Sequence, residues 1–155
     1  MKNDEKNFTE NFDLPLVEEQ EYIRAKKNVT LHNFRKELES DFLRFVKYMW
    51  PEFIEGRHHK DMAEMFNALA DDKVDRLIIN MPPRHTKSEF ASFLLPAWMV
   101  GRDPKLKIIQ ATHTAELAIR FGRKAKNLID STDYTKIFKT RLQEDSKAAG
   151  RWETS

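Results

Sequence analysis

Cysteine is absent from the 155-residue chain, which excludes a disulfide framework and any thiolate metal site. No stretch approaches the roughly 18 apolar residues that span a bilayer. The N-terminus, MKNDEKNFTENF, is polar and acidic and has no apolar signal region. These absences lead to the expectation of an intracellular protein, neither secreted nor membrane-inserted. Glycine is missing where it would matter most. In IINMPPRHTKSEF, residues 78–90, a short apolar run passes through two prolines into a basic turn and then Lys-Ser. That order suits a loop gripping a nucleotide's phosphates, yet the pattern G-x-x-x-x-G-K-[ST] would place glycine at Met81 and Thr86.

What is present fits one modest soluble domain: 34% of residues are charged and 40% hydrophobic. The net charge of +2 conceals an asymmetry. Residues 1–22 hold two basic and seven acidic residues, a balance of −5 that leaves +7 for the remainder. A basic body suits a polyanion such as nucleic acid, although solvated helix faces would give the same count.

Residues 1–28 lack periodicity and read as a flexible acidic arm, with residues 29–155 forming the folded part. Phe34, Leu38, Phe42, Phe45, Val46 and Met49 recur at helical spacing until Pro51. Met62, Met65, Phe66 and Leu69 predict a second, shorter helix whose methionines read as core. DRLIINM then reads as a strand buried on both faces, because Leu77, Ile78 and Ile79 are consecutive rather than alternating. Helical spacing returns at Phe90, with Pro96 bound to kink or divide the helix. KLKIIQAT reads as a second strand, and Thr114 as the N-cap of a helix carrying Leu117, Phe121, Leu128 and Ile129. Strand, helix, strand, helix predicts an α/β fold with a P-loop NTPase-like parallel sheet and flanking helices, incomplete in this chain.

On that fold Lys87 would meet the β- and γ-phosphates and Ser88 the Mg²⁺ of ATP, with the amides from Arg84 through His85 and Thr86 to Ser88 cradling the anion. Thr86 is β-branched and resists the positive φ that glycine would supply. A plain basic surface turn is the alternative reading of RHTKS. Adjacent His58 and His59 point about 100° apart on a helix and cannot bind zinc as a His-x-x-x-His pair does.

RLIINMPPRHTKSEFAS, followed by KIIQATHTAELAIRFGRKAKNLIDS and GRWETS, resembles the N-terminal ATPase region of tailed-phage terminase large subunits, the motors that package DNA into capsids. The resemblance covers residues 40–155. It implies a divergent Walker A loop with Lys87 and Arg84 in catalysis, the arginine acting on the γ-phosphate. It also implies an adenine pocket upstream, in WPEFIEGRHHKDMAEMF, where Trp50, Phe53 and His58 would border the purine or, for the two aromatics, form core. Thr112 or His113 could sense nucleotide, and Arg120, Arg123, Lys124 and Lys126 could touch DNA backbone. The implied cofactors are ATP and Mg²⁺. The implied partners are double-stranded DNA, a terminase small subunit, a capsid portal protein and further copies in a ring, in the host cytoplasm and without a membrane.

An ATPase of this class also needs an acidic strand for Mg²⁺ and a carboxylate to orient water. No such strand and no nuclease domain can be read before Ser155, so the sequence looks like the first half of a motor, a fragment or a truncation, inactive alone. A helicase-like DNA-translocating ATPase and a non-enzymatic nucleotide- or DNA-binding module are the alternatives.

Overall fold

A computed structural model describes residues 16–147 and 152–154. Two compact units divide between Asn33 and Phe34. Helix α1 (Leu16–Ser40) starts well upstream of the periodic residues. In the first unit its apolar side chains Ile23, Val29 and Leu31 are exposed, in keeping with the missing periodicity. The expected N-terminal arm falls partly on residues 1–15, outside the described residues.

In the second unit the predicted Phe34–Met49 helix is two helices. Asp41 separates them by adopting an extended conformation and accepting from Arg44 N at 2.9 Å, which caps α2 (Phe42–Met49). α3 (Arg57–Ala70) packs beside it, tied by Phe42 N–H donating to Asn67 Oδ1 at 2.9 Å. α4 (Lys87–Glu89) continues through a π-turn (Phe90–Leu94) into α5 (Leu95–Arg102). α6 (Ala115–Ile129) opens on Thr114, whose hydroxyl accepts from Leu117 N, so the expected N-cap is present. α7 (Thr132–Ile137) follows.

The core centres on Phe42. Its ring meets those of Phe66, Phe90 and Trp98 edge-on at centroid distances of 5.2, 5.4 and 5.5 Å. Such aromatic pairs each add about 0.5–1.5 kcal/mol beyond the area they bury. The polar ends of the core rings are satisfied: Trp98 Nε1–H donates to Leu38 O at 2.9 Å, and Tyr134 Oη–H donates to Ala97 O at 2.7 Å.

Pro96 distorts the helix that carries it, as its chemistry requires. The chain widens to a π-turn, with Leu95 N–H bonding Phe90 O. Ser92 O, four residues before the proline, accepts instead from Gln110 Nε2 at 3.0 Å. A side chain thus occupies the carbonyl that Pro96 cannot reach.

The fold class read from the sequence is overturned. The described residues are mostly helical, and their sheet is a two-stranded antiparallel pair, β1 (Leu142–Lys147) and β2 (Trp152–Thr154), with no parallel sheet among them. The two apolar runs expected as P-loop NTPase-like parallel strands form no regular secondary structure and pair with nothing in a ladder. Neither is buried on both faces. Leu77, Ile79 and Met81 pack on the core while Ile78 is 86% exposed, and Ile109 in the second run is 95% exposed. A run of aliphatic residues fixes an extended backbone, but a strand also needs a neighbour to accept its amides.

Candidate functional site

The first apolar run leads from Met81 through Pro82 and Pro83 into a tight loop, and Lys87 begins α4. Two residues in this loop have left-handed backbone, Arg84 at φ 65° and Thr86 at φ 56°, one on each side of His85. For threonine that region costs about 1–3 kcal/mol and persists only where the surroundings enforce it. Helix formation begins directly beyond, and the first backbone bond of the helix runs from Phe90 N–H to Thr86 O at 3.0 Å. Among the described residues the amides of Arg84 to Ser88 donate to no other group. Thr86 thus takes the positive φ that its β-branched side chain resists.

The charged side chains of the loop are uncompensated. Lys87 Nζ donates to Met81 O at 3.5 Å, curling back over the loop, and meets no carboxylate among the described residues. Arg84 is exposed and forms no ion pair there, and the Ser88 side chain is exposed. The nearest acid in sequence, Glu89, is engaged elsewhere: both its oxygens accept from Lys124 Nζ at 2.8 Å. That pair ties the start of the loop helix to α6 and takes Lys124 out of the basic face, whose exposed members are Arg120 and Arg123. Thr112 hydroxyl donates to Thr114 O at 2.6 Å, and His113 is exposed.

α3 brings two histidines, His58 and His59, to the loop, which carries a third, His85. The His58 ring lies 3.8 Å from that of His59 and 5.5 Å from that of His85, centroid to centroid. His85 Nδ1–H donates to Pro83 O at 2.9 Å, an exchange within the loop. His59 is buried, its ring 4.7 Å from Phe53 and 5.1 Å from Phe90, and its Nε2 bonds Thr86 Oγ1. Burial, reinforced by neighbouring His58 and His85 and opposed by Glu55, holds the His59 imidazole below its ordinary value. His58 Nε2 is buried without a hydrogen-bond partner among the described residues. A buried polar atom left unpaired is costly, so this nitrogen is suited to a ligand.

Of the residues singled out by sequence, the structure therefore brings Phe53, His58, His85, Thr86 and Lys87 into one neighbourhood, with Arg84 and Ser88 on the same loop. Trp50 stacks obliquely on Phe53 at 5.5 Å and packs against the core. His59 was missed. Its only sequence signal is position: three residues after Gly56 it can accept from the amide that opens α3, as Glu or Gln does in a capping box.

Among the described residues no group of three or more histidines and carboxylates could hold a metal ion. Nor is any helix there long and apolar enough to cross a membrane. Comparison of the chain with protein-family models, curated proteins and solved structures gives no match.

Proposed function

We propose that the loop from Pro82 to Ser88 binds the phosphates of ATP and that the chain contributes this loop to a DNA-translocating motor of the terminase large-subunit kind. One observation supports the reading above others. Two left-handed residues meet, at the start of one helical stretch, amides that donate to no described residue and an ammonium with no counterion among the described residues. Amides at a helix start and a lysine together offset the charge of a triphosphate.

In this reading Lys87 exchanges the Met81 carbonyl, a neutral acceptor at long range, for the β- and γ-phosphate oxygens. Arg84 reaches the γ-phosphate, where its planar fork takes up charge as the phosphoryl group transfers. The Ser88 hydroxyl is free to join the coordination of Mg²⁺ that enters with the nucleotide, and the bound ion would neutralise the phosphate oxygens. The unpaired His58 Nε2 and the Phe53 edge suit a purine. Arg120 and Arg123 on α6 offer sequence-independent contacts to DNA backbone. Hydrolysis in this reading also requires acidic groups for Mg²⁺ and for the attacking water, and the small subunit, portal and ring neighbours are the partners that go with it.

Calorimetric titration of the chain with Mg-ATP tests the reading. Lys87→Ala is expected to weaken binding by on the order of tenfold or more, the scale of one hydrogen bond to a charged group, with an unchanged circular dichroism spectrum. Binding equal to that of the parent chain, or no binding by the parent chain at millimolar nucleotide, refutes it.

A further inference from the structure

The backbone shape of the loop is its working part, and the loop holds that shape without glycine: no glycine among the described residues has positive φ. The left-handed Thr86 sits in a hydrogen-bond relay whose direction the chemistry fixes. Gly56 N–H donates to His59 Nδ1 at 2.8 Å, so Nδ1 carries no proton. The ring proton therefore sits on Nε2 and is donated to Thr86 Oγ1. Oγ1 in turn donates its own hydrogen to His85 O at 2.7 Å. No member can reverse its role without breaking another bond.

The relay is anchored on rigid parts. The His59 ring is 5% exposed and held between Phe53, Phe90 and His58. A Cβ at residue 56 would stand 2.9 Å from His58 Cε1, so a larger residue there would displace the His58 ring. The start of α3 thus sets the position of a nitrogen that reaches the phosphate loop.

We propose that His59 is a positioning residue for nucleotide binding: its Nε2–H holds Thr86 in the left-handed conformation and so keeps the amides of Lys87 and Ser88 available to phosphate, a service glycine would render unaided. This rests on the phosphate-loop reading above. It makes His59 important only because residue 86 is threonine. In a Thr86→Gly chain the hydroxyl is gone and the left-handed conformation is free, so His59 loses its role at the loop.

Four proteins decide the matter: the parent chain, His59→Phe, Thr86→Gly and the double variant, with phenylalanine keeping the ring volume between Phe53 and Phe90. Mg-ATP affinity is measured by calorimetry. The ¹³C shifts of residue 86, which report the sign of φ, are measured without nucleotide. His59→Phe is expected to weaken Mg-ATP binding about tenfold and to move Thr86 out of the left-handed region. Thr86→Gly keeps the backbone amide and sets the reference affinity of its own background, and the double variant is expected to match Thr86→Gly. Equal losses from His59→Phe in both backgrounds would mean that the ring only packs, and would overturn the proposal. So would an unchanged Thr86 shift in His59→Phe. Absence of Mg-ATP binding by the parent chain would instead remove the phosphate-loop reading, and this proposal with it.

Discussion

Gly101 lies inside α5, where alanine would ordinarily stabilise a helix by about 1 kcal/mol. Here the opposite is expected. A Cβ at residue 101 would stand 2.6 Å from both Cγ and Cδ2 of Phe138 and 2.7 Å from Tyr134 Oη. Both side chains are buried, Phe138 at 2% exposure and Tyr134 at 0%, and Tyr134 is further fixed by its bond to Ala97 O. Neither ring can turn aside without disturbing Phe45, which packs on both at 6.4 and 5.8 Å. Overpacking of this kind costs about 1–3 kcal/mol, and loss of the tyrosine bond, with a buried carbonyl left behind, about 1–3 more. After the helical gain is subtracted, Gly101→Ala should destabilise the protein by about 1–5 kcal/mol. Urea unfolding followed by tryptophan fluorescence measures it. The partner test is Phe138→Ala, costly alone at about 3–5 kcal/mol but less than additive with Gly101→Ala, because it vacates the space the new methyl needs. A Gly101→Ala chain as stable as its parent, or strict additivity in the pair, would refute the packing argument.

In a complete motor, Arg84→Ala should lower kcat far more than it weakens ATP binding, read from steady-state phosphate release beside a binding isotherm; equal losses would make the arginine a ground-state contact. His59 gives stability a pH dependence of definite sign. Its folded-state value lies below the unfolded ~6.5, so its contribution is full above that pH and is lost as pH falls through and below it. Urea midpoints should therefore decline below about pH 6.5, and His59→Phe should flatten that limb; an unchanged slope counts against the assignment. Gln110→Ala leaves Ser92 O without its donor and should cost about 1–2 kcal/mol, measured by thermal unfolding, whereas substitution of exposed Lys107 should cost nothing measurable.

Helices α2, α3 and α6 were legible because their signals are local, whereas residues 16–28, read as part of a flexible arm, belong to α1, and α7 went unread. Apolar spacing located Phe42, Phe45 and Val46 on one face, and Thr114 announced α6 by its hydroxyl. Leu77–Ile79 and Ile108–Ile109 misled because aliphatic runs report extended backbone, whereas a sheet is a property of two segments at once. β1 escaped for the converse reason: LQEDSK carries no strand pattern, and the pair is held through β2, where Trp152 Nε1–H donates to Gly122 O at 3.1 Å. At the loop, residue order alone marked Lys87 and Ser88. Propensity argued against a left-handed Thr86, and only the fold shows that a histidine from a preceding helix overrules it.

Pro96 and Gln110 carry a consequence for how this sequence can change. Proline removes a donor from Ser92 O, and glutamine, from a separate segment, supplies one. Replacing Pro96 by alanine would restore an amide that competes for the same carbonyl and would loosen the attachment of the 106–112 segment to the loop-bearing helix. Replacing Gln110 alone would strand the carbonyl in a partly buried setting. Each single exchange thus leaves a donor and an acceptor mismatched while the joint exchange leaves them matched, so the two positions should be coupled in a double-mutant cycle.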